Sequence, residues 1–161
     1  MIFVILGTQD KKFTRLLDAI QKKIDEGKIS KKEKIIVQAG CTRYKSKNMQ
    51  IIDYMPLREF EDYVDKADII ICHAGVGTIL TALKKGKKII AAARLKKYGE
   101  HVNDHQKDIE KKFNDSGLLI GIDDVNDLKY AIIKSERFYP KKYQKNNSEM
   151  INIIKTYIDK I

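Results

Sequence analysis

Two short stretches concentrate the side chains that can do chemistry. In the first, His73-Ala74-Gly75-Val76-Gly77-Thr78, two glycines and a hydroxyl follow the apolar run Ile69 to Cys72. Ile79, Leu80, Ala82 and Leu83 then resume the apolar pattern at helical spacing. Strand, glycine turn and helix in that order leave unpaired N–H groups at the positive end of a helix dipole, where phosphate is favoured. The same glycines would equally serve a tight turn with no ligand, because a short glycine motif is weak evidence alone. The second stretch, Glu100-His101-Val102-Asn103-Asp104-His105-Gln106, is the densest polar cluster. Its side chains suit sugar hydroxyls, a metal ion or plain solvation. His101 and His105 would share a face if both lay on one helix. No His-Glu-x-x-His sequence and no clear third ligand accompanies them, so no metal is expected.

Other chemistries find little support. There is no Gly-x-Ser-x-Gly elbow for a serine nucleophile. Cys72 and His73 are neighbours on a strand and point to opposite faces, which makes a poor dyad. Cys72 reads as a small buried residue, and Cys41, near Arg43, leaves a reactive thiol open. The dinucleotide fingerprint is absent after the first strand.

These stretches need elements to hold them. Apolar runs at 2–6, 35–39, 49–54, 69–72, 88–93 and 118–122 read as six short strands. Phe13, Leu16, Leu17, Ile20 and Ile24 give a helix over about 12–26. Pro56 opens a second, with Leu57, Phe60, Tyr63 and Val64 on its apolar face. Further helices are expected over about 77–85 and 104–115, and from a cap at Asp123, Asp124 or Asn126 through about 136. Residues 137 to 147 read as a connection, and Met150, Ile151, Ile154, Tyr157 and Ile158 mark a last helix. Strands alternating with helices, without a repeat, predict an α/β fold with a Rossmann-like open parallel sheet, built as one domain over 1–161. Ligands in such sheets sit beyond the carboxyl ends of the strands. Gly7-Thr8, Gly40 to Asn48, Tyr54, His73 to Thr78 and Arg94 to Gln106 all follow strands and would share that edge.

Composition narrows the classes. At 161 residues and 43% hydrophobic content the chain suits a soluble globular domain with a substantial core. No apolar run approaches bilayer length. The apolar start, Met1 to Leu6, lacks a basic region before it and reads as a strand rather than a signal peptide. Two distant cysteines suit a reduced, cytosolic chain. The net charge of +10 is spread over scattered lysine doublets and no nucleic-acid signature is present, so no nucleic-acid partner is expected. An anionic membrane surface is a better match for that charge, and a biased lysine- and isoleucine-rich composition would explain it without any partner.

Ile5-Leu6-Gly7-Thr8 with Phe13 and Leu16, Val37-Gln38-Ala39-Gly40, Ala67-Asp68 through Thr78, and Glu100 through Gln106 together resemble the C-terminal, donor-binding half of the GT-B glycosyltransferases. The nearest likeness is to small soluble subunits of split bacterial exopolysaccharide and capsule β-1,4-galactosyltransferases. It extends to the soluble subunit of the dolichol-linked N-acetylglucosaminyltransferase and to the lipid-II-forming enzyme. The resemblance implies a UDP-sugar donor. Gly75, Val76, Gly77 and Thr78 would meet its diphosphate, with His73 beside them and Gly7 and Thr8 close by in the cleft. Tyr54 would stack on uracil, and Asp104 and Gln106, with Glu100 and His101 nearby, would read the sugar hydroxyls. His101 is a candidate base, although a partner is the better source. Relatives place a glutamate on the ribose hydroxyls where this chain has Thr81, which lacks a carboxylate's paired acceptors.

A GT-B enzyme has two such halves, and this chain has the length of one. The resemblance therefore implies a membrane-anchored partner carrying the acceptor half, a lipid-linked saccharide acceptor, and a place at the inner face of the cell membrane through that partner. The implied reaction is inverting transfer with UDP leaving, without an obligatory metal or other cofactor. Thr81 motivates the alternative of a non-catalytic stabilising or enhancer subunit. A free nucleotide-sensing protein of related fold is a third reading.

Overall fold

The structure is a computed structural model and describes residues 1–143 and Lys155. The expected last helix, marked by Met150 to Ile158, lies outside those residues. Six strands form one sheet in the order β3-β2-β1-β4-β5-β6. They are β1 Ile2–Ile5, β2 Ile35–Gln38, β3 Gln50–Ile52, β4 Ile69–His73, β5 Lys88–Ala92 and β6 Ile120–Ile122. All five pairings are parallel, with Val4 registered against Val37 on one side and Ile71 on the other. The expected α/β architecture is thus observed.

The helices are α1 Thr14–Asp25, α2 Leu57–Lys66, α3 Val76–Lys84, α4 His105–Asp115 and α5 Leu128–Arg137. Their placement follows from the strand composition. Strands apolar on both faces demand cover on both faces. Val4, Val37, Ile71, Ile90 and Ile120 pack with Leu16, Leu17, Ile20 and Ile24 of α1 and with Leu128 and Ala131 of α5. Phe3, Ile5, Ile70, Cys72 and Ile89 face the other way, onto Val64 of α2, Ile79, Ala82 and Leu83 of α3, and Ile109 and Phe113 of α4. Each large side chain buried in this way contributes about 1.5–3 kcal/mol.

Three sequence expectations shift at the edges. The strand expected over 49–54 pairs only across Gln50–Ile52, because β2 ends at Gln38, opposite Ile52. Asp124 caps a single 3-10 turn, Val125–Asp127, through the Asn126 N–H, and α5 starts only after it. The loop expected over 94–104 contains a second such turn, Lys96–Tyr98, closed by Gly99 at a φ of 67°. Among the described residues no helix is long and apolar enough to cross a membrane.

Candidate functional site

The strand order reverses between β1 and β4, and parallel sheets open a crevice at the carboxyl edge of such a point. Here the crevice is a cleft of about 480 Å³. Gly7, Thr8 and Gln9 after β1, Gln38 at the end of β2, and His73 with Gly75 to Thr78 after β4 form three sides. Tyr54, Met55, Leu57 and Phe60 form an apolar wall, and Gln106 reaches in from α4. Among the described residues no carboxylate lines it.

The floor is the start of α3. Gly75 occupies the N-cap position without a side-chain cap, and its carbonyl accepts the first helical bond from Ile79 N–H at 3.1 Å. Val76, Gly77 and Thr78 are therefore the first-turn residues whose N–H groups have no intrahelical acceptor. Those three residues line the cleft. Gly77 needs no special backbone, since its φ is not positive and a Cβ built there meets nothing within 4 Å. Its missing side chain leaves room over the N–H groups.

His73 is held in place by backbone. Its Nδ1 lies 3.3 Å from the Ile5 carbonyl, and that acceptor fixes the neutral tautomer as Nδ1–H. A Cβ on Gly7 would come within 2.7 Å of the ring, and one on Gly75 within 2.2 Å of Nε2. The imidazole thus fills the space between two glycine loops. Burial lowers its pKa to about 4, with Arg94 adding to the effect. Beneath it, burial pushes the Cys72 thiol up to about 12, so this cysteine is inert packing. Gly7 has a φ of 81° and Gly40 one of 59°, and Gln38 Nε2 donates to the Gly7 and Asp53 carbonyls at 3.2 and 3.3 Å. These bonds fix the turns on either side of the cleft.

The polar cluster after β5 divides between two tasks. Glu100 is buried, and Arg15 grips its carboxylate with two bonds of 2.9 and 2.8 Å. The Leu95 N–H adds a third at 3.0 Å. Glu100 does not line the cleft, because its oxygens are committed to holding its own loop against α1. Arg94 is fully buried, and its guanidinium donates to the carbonyls of Leu6, Lys11 and Glu100. Its Nε has no partner, and burial lowers its pKa. The Phe13 ring packs 5.5 Å beneath the guanidinium. Gln106 Oε1 accepts the Arg94 N–H at 3.1 Å, leaving the amide nitrogen as the end available to a ligand.

Asp104 is exposed, precedes α4 and accepts the Lys96 N–H at 2.8 Å. His101 is bonded through Nδ1 to the Asn103 backbone. It lies before α4, so it shares no helix face with His105. Among the described residues no group of three metal-ligating side chains exists. Thr81, one turn beyond Gly77, donates its hydroxyl proton to the Gly77 carbonyl at 2.9 Å. The structure thus gathers Gly7, Thr8, Tyr54, His73, Gly75, Val76, Gly77, Thr78 and Gln106 around one cleft. Glu100, His101, Asp104 and Thr81 stand behind or beside it.

Residues 1–160 match the glycosyltransferase family 28 C-terminal domain. The chain belongs to this family. Solved structures show the same fold. One is the nuclear magnetic resonance structure of ALG13, with a TM-score of 0.61 at 18% identity, covering 96% of this chain and 95% of that one. Another is the glycosyltransferase of kitacinnamycin, with a TM-score of 0.62 at 14% identity over 84% of this chain and 34% of that one. A third is the Streptomyces sp. SF2575 glycosyltransferase SsfS6 complexed with thymidine diphosphate, with a TM-score of 0.55 at 16% identity over 99% and 41%. The chain therefore spans about a third of the first of these enzymes and nearly all of ALG13. A search of curated proteins found no match.

Sequence reasoning missed the apolar wall as a site feature, because Leu57 and Phe60 read there as the core side of a helix. It also missed Arg94 as the buried link between loops. A lone arginine at the end of the apolar run Ile89 to Ala93 was the available signal, since such a charge is buried only when it is bonded.

Proposed function

We propose that this chain is the donor-binding half of an inverting glycosyltransferase that takes a UDP-sugar and works with a membrane-anchored partner. The observation that carries the reading is the cleft itself. Three N–H groups of α3 open onto it, Gly77 leaves room above them, and no carboxylate lines it to repel a diphosphate. An aromatic and aliphatic wall at Tyr54 and Phe60 suits a nucleobase.

The acceptor hydroxyl would attack the anomeric carbon from the face opposite the diphosphate. The bond to the donor's glycosidic oxygen breaks, and UDP carries away the negative charge. The N–H groups of Val76, Gly77 and Thr78 would stabilise that charge, a task this proposal does not give to a resident metal or cofactor. Gln106 offers an amide to the sugar, with Thr8 on the diphosphate side. Asp104 would read sugar hydroxyls from the rim, while Glu100 acts by holding the loop. A general base must deprotonate the acceptor. Burial holds the His73 pKa down to about 4, which makes it a weak base, and the partner, which carries the acceptor, is a better source of the base than His101.

The chain's match to nearly all of ALG13, and to only a third of a larger glycosyltransferase, supports a second polypeptide carrying the acceptor half. We assign the product to a lipid-linked saccharide of exopolysaccharide or capsule, formed by β-1,4-galactosyl transfer at the inner membrane face. The net charge of +10 suits that surface. The test is reconstitution of the chain with its membrane partner, UDP-galactose and a lipid-linked acceptor. Transfer supports the reading; absence of both transfer and nucleotide binding overturns it.

Thr81 favours a second reading, a non-catalytic enhancer of the partner. If a bulky residue at Gly77 leaves transfer by the reconstituted pair intact, donor binding resides elsewhere and the enhancer reading replaces the first.

A further inference from the structure

We propose that Arg94 is a positioning residue for the diphosphate, fixing the loop beside it and supplying a buried positive charge that the fold leaves for an anion to neutralise. This rests on the nucleoside diphosphate reading above and deepens it. Arg94 does not line the cleft, so it acts through what it holds and through its field.

The first part is read from its bonds. The guanidinium donates to the Leu6 carbonyl and, at 2.8 Å, to the Lys11 carbonyl. Those two residues bracket Gly7 to Asp10. One side chain thus staples both ends of the loop that brings Gly7, Thr8 and Gln9 to the cleft. The backbone N–H of Arg94 donates to Gln106 Oε1 at 3.1 Å and so orients a further cleft residue.

The charge is the second observation. Arg94 is 1% exposed, and arginine keeps its proton in proteins. Its acceptors are all backbone carbonyls, which carry no net charge, and its Nε has no partner. The buried carboxylate of this loop, Glu100, is already gripped by Arg15. Two guanidiniums against one carboxylate leave one positive charge unmatched. Asp10 is exposed, where solvent screens it. A buried charge without a counter-ion costs stability, and a bound diphosphate would supply the counter-ion. The field reaches the cleft. Burial first, with the Arg94 charge adding to it, holds the pKa of the cleft-lining His73 down to about 4.

The experiment measures calorimetric affinities of the full chain for UDP and UMP, whose ratio reports the second phosphate. Circular dichroism checks the fold of each variant. Arg94→Met removes the charge and is expected to cut the preference for UDP over UMP by more than about threefold, as for one charge pair across about a nanometre of partly screened medium. Arg94→Lys keeps the charge and gives up the planar fork. It is expected to weaken both nucleotides while holding the ratio within about threefold of wild type. Glu100→Gln removes the offsetting carboxylate and is expected to raise the ratio. A ratio within about threefold of wild type in folded Arg94→Met overturns the role of the charge, as does an equal fall in Arg94→Lys. If Arg94→Met does not fold, Glu100→Gln decides, and an unchanged or lower ratio there overturns the proposal. Unaltered affinity of Arg94→Lys for both nucleotides overturns the staple. Failure of the wild-type chain to bind either nucleotide overturns the nucleoside diphosphate reading itself, a result distinct from tight binding that ignores Arg94.

Discussion

Gly77→Asp should strengthen the fold and abolish donor binding, two effects of opposite sign from one side chain. Position 77 is the second residue of α3, exposed, with open space where a Cβ would go. Replacing glycine by aspartate removes about 0.3 kcal/mol of unfavourable helix propensity. A carboxylate in the first turn adds about 0.3–1 kcal/mol through the helix dipole. The variant should therefore be about 0.5–1.5 kcal/mol more stable, a rise of a few degrees in Tm for a chain of this size. Binding moves the other way. A carboxylate about 5 Å from the diphosphate repels each of its charges by roughly 1–3 kcal/mol, between the limits of water and an effective dielectric near 20. The expected loss of nucleotide affinity is about ten- to a hundredfold at the least. Urea denaturation and calorimetric titration on one preparation measure both quantities. A variant that is more stable and still binds UDP within about twofold would refute the placement of the diphosphate on α3. Gly77→Ala separates sterics from charge, with a larger gain in propensity, about 1 kcal/mol, and a smaller loss of affinity.

Gly75→Ala should behave in the contrary manner, because its Cβ would lie 2.2 Å from His73 Nε2. A loss of about 1–3 kcal/mol is expected, and His73→Ala in the same chain should remove most of the penalty in a double-mutant cycle. The imidazole also makes stability depend on pH. Its pKa falls from 6.5 to about 4 on folding, so the unfolded chain binds the extra proton and stability drops as pH falls from about 6.5 to about 4. The change is of order 3 kcal/mol, and His73→Gln should remove that slope from urea midpoints measured against pH. Glu110 acts with the opposite sign. Burial, with Asp123 adding to it, raises its pKa to about 7, so its contribution is lost as pH rises from about 4.5 to 7. Glu110→Gln should stabilise the chain by about 1–3 kcal/mol at pH 8 and leave it nearly unchanged at pH 4. Glu100→Gln should cost about 2–4 kcal/mol of stability by breaking the buried pair with Arg15. If it instead leaves stability intact and weakens donor-sugar binding, Glu100 faces the ligand rather than Arg15.

The sheet was legible because every strand carries at least two isoleucines in a short run bounded by polar or turn residues, and such runs have few alternatives. The edges of elements were less so. Tyr54 has a strand-compatible type, yet β2 ends at Gln38, opposite Ile52, and Asp53 is met instead by the Gly40 N–H of the turn. That a glycine turn joins β4 to a helix was readable from order alone. What each glycine does was not, since Gly7 and Gly75 make room for His73 while a Cβ at Gly77 would meet nothing. The second polar stretch was the hardest part. Seven consecutive polar or mixed residues look equivalent in sequence, but Glu100 is paired inward by an arginine from a distant helix, while Gln106 reaches the cleft. Contacts between residues 85 positions apart, as in Arg15 with Glu100, leave no local trace.

The contacts along the carboxyl edge set the dimensions of the cleft. A Cβ on Gly40 would sit 2.3 Å from the Gly7 carbonyl oxygen, one on Gly7 would touch His73, and His73 touches Gly75. Loops from three adjacent strands are thus stacked close to one another, with the His73 ring as a spacer between two of them. The gap they leave is fixed by peptide and ring thickness, quantities that rotamer changes do not alter. Such an opening behaves as a gauge of constant width. Differences in what it admits must arise at its rims, where Tyr54, Leu57 and Gln106 stand.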